Sequence, residues 1–87
     1  MGEPNDAHED YVTKELLMIL KRSIKEEKDA HQRYLRGVEL AINPEVREMF
    51  ENLANEELKH ASVLRHKVKE LAKKLGREEF LIELEKT

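Results

Sequence analysis

The chain has 87 residues, of which 40% are charged and 39% hydrophobic, with a formal charge of −3 at pH 7. So short a chain forms one small domain with marginal burial as a monomer, so oligomerisation is expected. The absence of cysteine excludes disulfides, iron–sulfur clusters, thiolate zinc sites and catalytic thiols, and charges of both signs interspersed along the chain exclude the basic face that nucleic acid requires.

Abundant Glu, Lys and Leu with few Gly or Pro point to an all-α fold of long helices. Residues 1–12 lack periodicity and carry Gly2, Pro4, Asn5 and Asp6, which reads as a flexible arm. Its polar, acidic start is unlike a signal peptide, and no apolar run approaches the roughly 20 residues that span a bilayer, so no membrane role and a cytoplasmic location are expected. Thr13 reads as an N-cap for a first helix from Lys14 to about Ala41. Asn43-Pro44 then ends one helix and starts another, since Asn43 can cap it and Pro44 suits its first turn. The second helix runs to Leu75, with Gly76 as its stop. So short a connection between two long helices forces an antiparallel hairpin over residues 13–76. Residues 77–87, with Phe80, Leu81 and Leu84, read as a short third helix or tail.

On the first helix the positions alternately four and three apart are Leu20, Ile24, Glu27, His31, Tyr34 and Val38, the spacing of a buried seam. The same rule on the second helix gives Val46, Phe50, Leu53, Glu57, His60 and Leu64. Polar residues interrupt both lines midway. Glu27 lies sixteen residues before Asn43, while Glu57 and His60 lie fourteen and seventeen after it. At ~1.5 Å per residue the three side chains reach nearly one level of the hairpin, within about 3 Å.

A buried carboxylate without a partner is costly, so it protonates, pairs or coordinates a cation. Two carboxylates and an imidazole, without sulfur, suit iron or manganese and less specifically zinc. Ferritin-like di-metal bundles use a Glu from each of two helices and a Glu-x-x-His from each of two others. This chain carries half that set. A two-fold dimer of hairpins would make a four-helix bundle and complete it, with two metal ions per dimer.

The sequence resembles the rubrerythrin-like branch of the ferritin superfamily, and within it the two-helix encapsulated ferritin-like proteins. The resemblance is carried by Glu26-Glu27 and Tyr34, by Asn43-Pro44-Glu45, and by Asn55-Glu56-Glu57-Leu58-Lys59-His60-Ala61, without gaps between Tyr34 and His60. It implies iron ligands at Glu27, Glu57 and His60, doubled across a homodimer, with Tyr34 as a neighbouring hydrogen-bonding group. Glu26 and Asp29 match acidic positions associated with metal access. The implied activity is ferroxidase, Fe(II) oxidation by oxygen, or peroxide reduction as in rubrerythrins. The implied partners are further dimers in a ring, such as a decamer, and an encapsulin shell that stores the ferric product. Two features depart from that pattern: Arg33 stands where encapsulated relatives can have an aromatic residue, and Phe80 to Thr87 does not look like an encapsulin-docking peptide.

Blander readings stand beside these. Tyr34 at a helical seam is also what a core residue looks like. His31 reads as a satisfied core histidine, an outer hydrogen-bond partner of Glu27, favoured here because metal-bound carboxylates usually need one, or an additional ligand. Glu26, Asp29 and Glu56 fit a solvated face as well as a metal path. A peroxidase without cysteines would need an external reductant. A helical interaction module whose buried Glu and His only fix register is the non-enzymatic alternative.

Overall fold

The computed structural model describes residues 4–79 and 81–82, with side chains from residue 11 onward. Two helices, α1 (Pro4–Leu40) and α2 (Pro44–Lys74), form an antiparallel hairpin, and no strand occurs among the described residues. None of their helices is long and apolar enough to cross a membrane.

The turn forms as its residues dictate. Asn43 is extended, and its side-chain oxygen accepts from the Glu45 and Val46 amides at 2.8 and 3.2 Å, satisfying two of the donors that a helix start leaves open. Pro44 follows at the first helical position, where a missing N–H costs nothing. At the far end Gly76 adopts φ +68, the Gly76 amide donates to the Lys73 carbonyl, and the Arg77 amide reaches back to the Ala72 carbonyl at 2.7 Å. This is a Schellman stop, and the left-handed conformation explains why glycine stands there.

Two expectations about boundaries need correction. Helix α1 starts at Pro4, so residues 4–12 are helical rather than a flexible arm, and Thr13 lies inside the helix rather than capping it. Between Pro4 and Gly37 the sequence has no proline or glycine to interrupt a helix, and Pro4 itself suits a first turn. The expected helix over 77–87 falls mostly outside the described residues: Glu79, Leu81 and Ile82 are helical, while Phe80 and residues 83–87, including Leu84, are not described.

Packing between α1 and α2 uses one stripe on each. Leu17, Ile24 and His31 lie seven apart on α1, and Ala54, Ala61 and Val68 lie seven apart on α2. Leu17, Ile24 and Val68 are fully enclosed, with Leu20, Leu64 and Leu71 packed against them, and Ala54, Ala61 and Ala72 are buried too. The line expected on α2, from Val46 through Leu64, is therefore not the seam with α1. It lies beside that seam, half-buried at Phe50, Leu53, Glu57 and Leu64 and exposed at Val46 and His60. Alanines form the seam because a small side chain lets two helix backbones come close. At Gly37 the missing side chain makes room for the Phe50 ring, since a Cβ there would lie 2.6 Å from it.

The hairpin measures 65 × 18 × 16 Å and exposes 6694 Å². A compact monomer of its mass, 10.3 kDa, exposes about 5,400 Å². The excess is apolar in part: Leu16, Val46 and Met49 are 51%, 41% and 49% exposed.

Candidate metal centre

Stripes seven residues apart again place the donors. Glu27 stands between Leu20 and Tyr34 on α1, and Glu57 between Phe50 and Leu64 on α2. Both stripes flank the seam on the same side of the hairpin, and there the two carboxylates meet. His60, one turn beyond Glu57, closes the group.

One ligand atom from each of Glu27, Glu57 and His60 lies within 4.8 Å of the other two. His60 Nδ1 is 3.3 Å from Glu27 Oε2 and 3.9 Å from Glu57 Oε2. The carboxylate side chains are 27% and 20% exposed, and the imidazole is 58% exposed. The levelling predicted from residue counts is thus present, and it joins residues 33 positions apart.

Electrostatics are unsettled without a cation. The Glu57 carboxyl holds its proton above the ordinary range for a glutamate, chiefly through its hydrogen bond to Glu27, with partial burial and the Glu27 charge adding to the effect. His60 and Arg33 oppose it. Two carboxyls so close need either a shared proton or a positive ion. The donor set of two oxygens and one nitrogen fits a divalent first-row metal or a harder ion. Glu27, Glu57 and His60 are the residues that would hold such an ion, with their ligand atoms within 4.8 Å of one another.

The remaining expected residues fall elsewhere. His31 is half-buried in the seam, and its Nδ1 donates to the Ala54 carbonyl of α2 at 2.8 Å. The favoured reading of His31 as an outer partner of Glu27 is replaced by this contact: on the inner stripe the ring meets the α2 backbone. Tyr34 packs its ring against Phe50, with centroids 6.3 Å apart, and its hydroxyl makes no hydrogen bond among the described residues. Asp29 pairs with Lys25 at 3.0 Å on the exposed surface, and Glu26 and Glu56 are exposed as well. His66 pairs with Glu70 on the surface. Sequence reasoning missed two features, the Ala54 carbonyl and the influence of Arg33 on Glu57. A backbone acceptor has no sequence signal, and Arg33 lies off the lines of seam residues that reveal the donors.

A helical hairpin on which a Glu from one helix meets a Glu-x-x-His from the other is a building block of the ferritin-like carboxylate bundles. The sequence matches the rubrerythrin family over residues 18–86, and the chain belongs to that family, whose domains bind iron at di-iron redox centres. No individual curated protein and no solved structure matches it.

Proposed function

We propose that the protein is a ferroxidase of the encapsulated ferritin type, working at a di-iron centre that two hairpins build together from Glu27, Glu57 and His60 of each. The observation that carries this reading is the convergence of these three donors on one face of the hairpin. A rubrerythrin-type centre needs twice that donor set, and the face needs a cover. One two-fold partner supplies both.

Without a cation the Glu57 carboxyl, raised by the neighbouring Glu27, binds a proton more readily than an ordinary glutamate, and His60 lies 3.3 Å from Glu27. Fe(II) would be held by the Glu27 and Glu57 carboxylates, with His60 offering a ring nitrogen from the more exposed edge, and would displace any proton on Glu57. Oxygen-rich donation favours Fe(III) over Fe(II), which sets the direction of oxidation. Two Fe(II) ions supply one electron each, enough with two protons to take dioxygen to hydrogen peroxide or hydrogen peroxide to two waters. Covering the face by a second hairpin excludes bulk water from the carboxylates. Tyr34 then comes under the same cover, and Glu26 and Asp29 are the acidic positions that the resemblance associates with access of the ion.

The further parts of the reading are a ring of dimers such as a decamer, an encapsulin shell for the ferric product, and a cytoplasmic setting. They rest on the resemblance to encapsulated ferritin-like proteins. Membership in the rubrerythrin family favours a second reading, a peroxidase or oxidase drawing electrons from a separate reductant. Aerobic Fe(II) oxidation by the native chain, and its loss in Glu57→Ala and His60→Ala, tests the first. Turnover with peroxide far exceeding that with oxygen selects the second, and oxidation at the native rate by either variant rejects the site.

A further inference from the structure

The seam between the helices is apolar except at His31, and the residues around it are the smallest in the core: Ala30 at 7%, Ala54 at 2% and Ala61 at 6% exposure. Alanines let the two backbones approach but offer no polar or directional contact, so at the level of the metal donors the apolar seam itself supplies none. There His31 makes a directional contact. Its Nδ1 lies 2.8 Å from the Ala54 carbonyl, a bond between a side chain of α1 and the main chain of α2.

The placement of that bond matters. His31 is one turn after Glu27 on α1, and Ala54 is one turn before Glu57 on α2. The bond therefore ties the two turns that carry the facing carboxylates. A carbonyl only accepts, so Nδ1 must carry the proton and a neutral ring keeps its lone pair on Nε2.

We infer that His31 is a positioning residue of the metal centre: its bond to the Ala54 carbonyl fixes how α1 and α2 stand at the height of Glu27, Glu57 and His60. It touches neither iron nor the donor atoms. It acts as groups behind a metal site do, holding ligands in the geometry the ion requires, although it holds their helices rather than the ligands themselves. The inference rests on the metal reading of those three residues, and its test separates the two.

The test uses the full chain and Co(II) as probe. In the metal-free protein, nitrogen-15 spectra of the His31 ring should show the Nδ1-protonated tautomer, and the Nε2-protonated form would overturn the inference whatever the metal does. In Co(II) titrations His31→Val should lose about tenfold or more in affinity and alter the visible absorption of the bound ion. Its helical circular dichroism should match that of the native chain. His31→Asn, whose amide can donate from nearly the same place, should restore native affinity and spectrum. If His31→Val binds Co(II) like the native chain, or if His31→Asn fails as badly as His31→Val, His31 does not act through this bond. A native chain that takes up no Co(II) rejects the metal reading, and the inference falls with it.

Discussion

Glu57 faces Glu27 across the hairpin beside His60, whose Nδ1 lies 3.3 Å from Glu27 and 3.9 Å from Glu57. The neighbouring carboxyl together with partial burial raises Glu57 above the ordinary glutamate range. In the unfolded chain the two carboxyls are apart and Glu57 titrates normally. A folded value raised above the unfolded one gives stability that is complete below the unfolded value and is lost as pH rises through the folded one. The metal-free protein should therefore lose thermal stability across that interval. Glu57→Gln should lack this component, which the difference between the two Tm profiles against pH measures. Metal affinity runs the other way and should rise over the same interval, because the ion displaces the proton.

Leu16 and Met49 are half exposed, and by helical spacing Leu16 lies four before Leu20 and Met49 one before Phe50, next to the stripes that carry the donors. A glutamate at either position meets only solvent in a single hairpin and should leave helicity unchanged. In a dimer it would place a charge inside the interface. Sedimentation of Leu16→Glu and Met49→Glu should show a shift from dimer to monomer together with loss of bound iron, and an unchanged dimer would mean that this face is not the one covered.

Much of this arrangement was legible in the sequence, for identifiable reasons. Asn43-Pro44 and Gly76 each impose a backbone geometry that few other residues satisfy, so the turn and the end of α2 were placed correctly. The level of Glu27 with Glu57 and His60 followed from helix rise and a short turn. The start of α1 was misplaced because Pro4 and Asn5 were weighed as loop residues, when nothing in the following run breaks a helix. On α2 the large apolar residues Phe50 and Leu53 carry the more visible sequence pattern. Burial against α1 instead selects the small Ala54 and Ala61, which let the backbones approach. Phe50 and Leu53 lie half-buried beside the seam, Phe50 against Gly37 and Tyr34.

Gly37 lies inside α1, where alanine would ordinarily be preferred by about 1 kcal/mol. Here an added Cβ would lie 2.6 Å from the Phe50 ring, and that ring packs on Tyr34. Gly37→Ala should destabilise the protein by about 1–3 kcal/mol in urea unfolding rather than stabilise it. A gain in stability would show that Phe50 moves aside freely.

The Asn43 cap holds two amides at the start of α2. Asn43→Ala should cost about 1 kcal/mol by the same measurement, while Asn43→Asp should retain most of the stability because its carboxylate accepts the same bonds. Equal losses in both would point to the turn conformation rather than the cap.

The central claim is that one chain holds half a di-iron site. Native mass spectrometry combined with elemental analysis of the iron-loaded protein tests it most directly. Dimers, or assemblies of dimers, carrying two irons per dimer are expected, with Glu57→Ala retaining none. Monomers that bind iron stoichiometrically, or native dimers that bind none after loading, would contradict it.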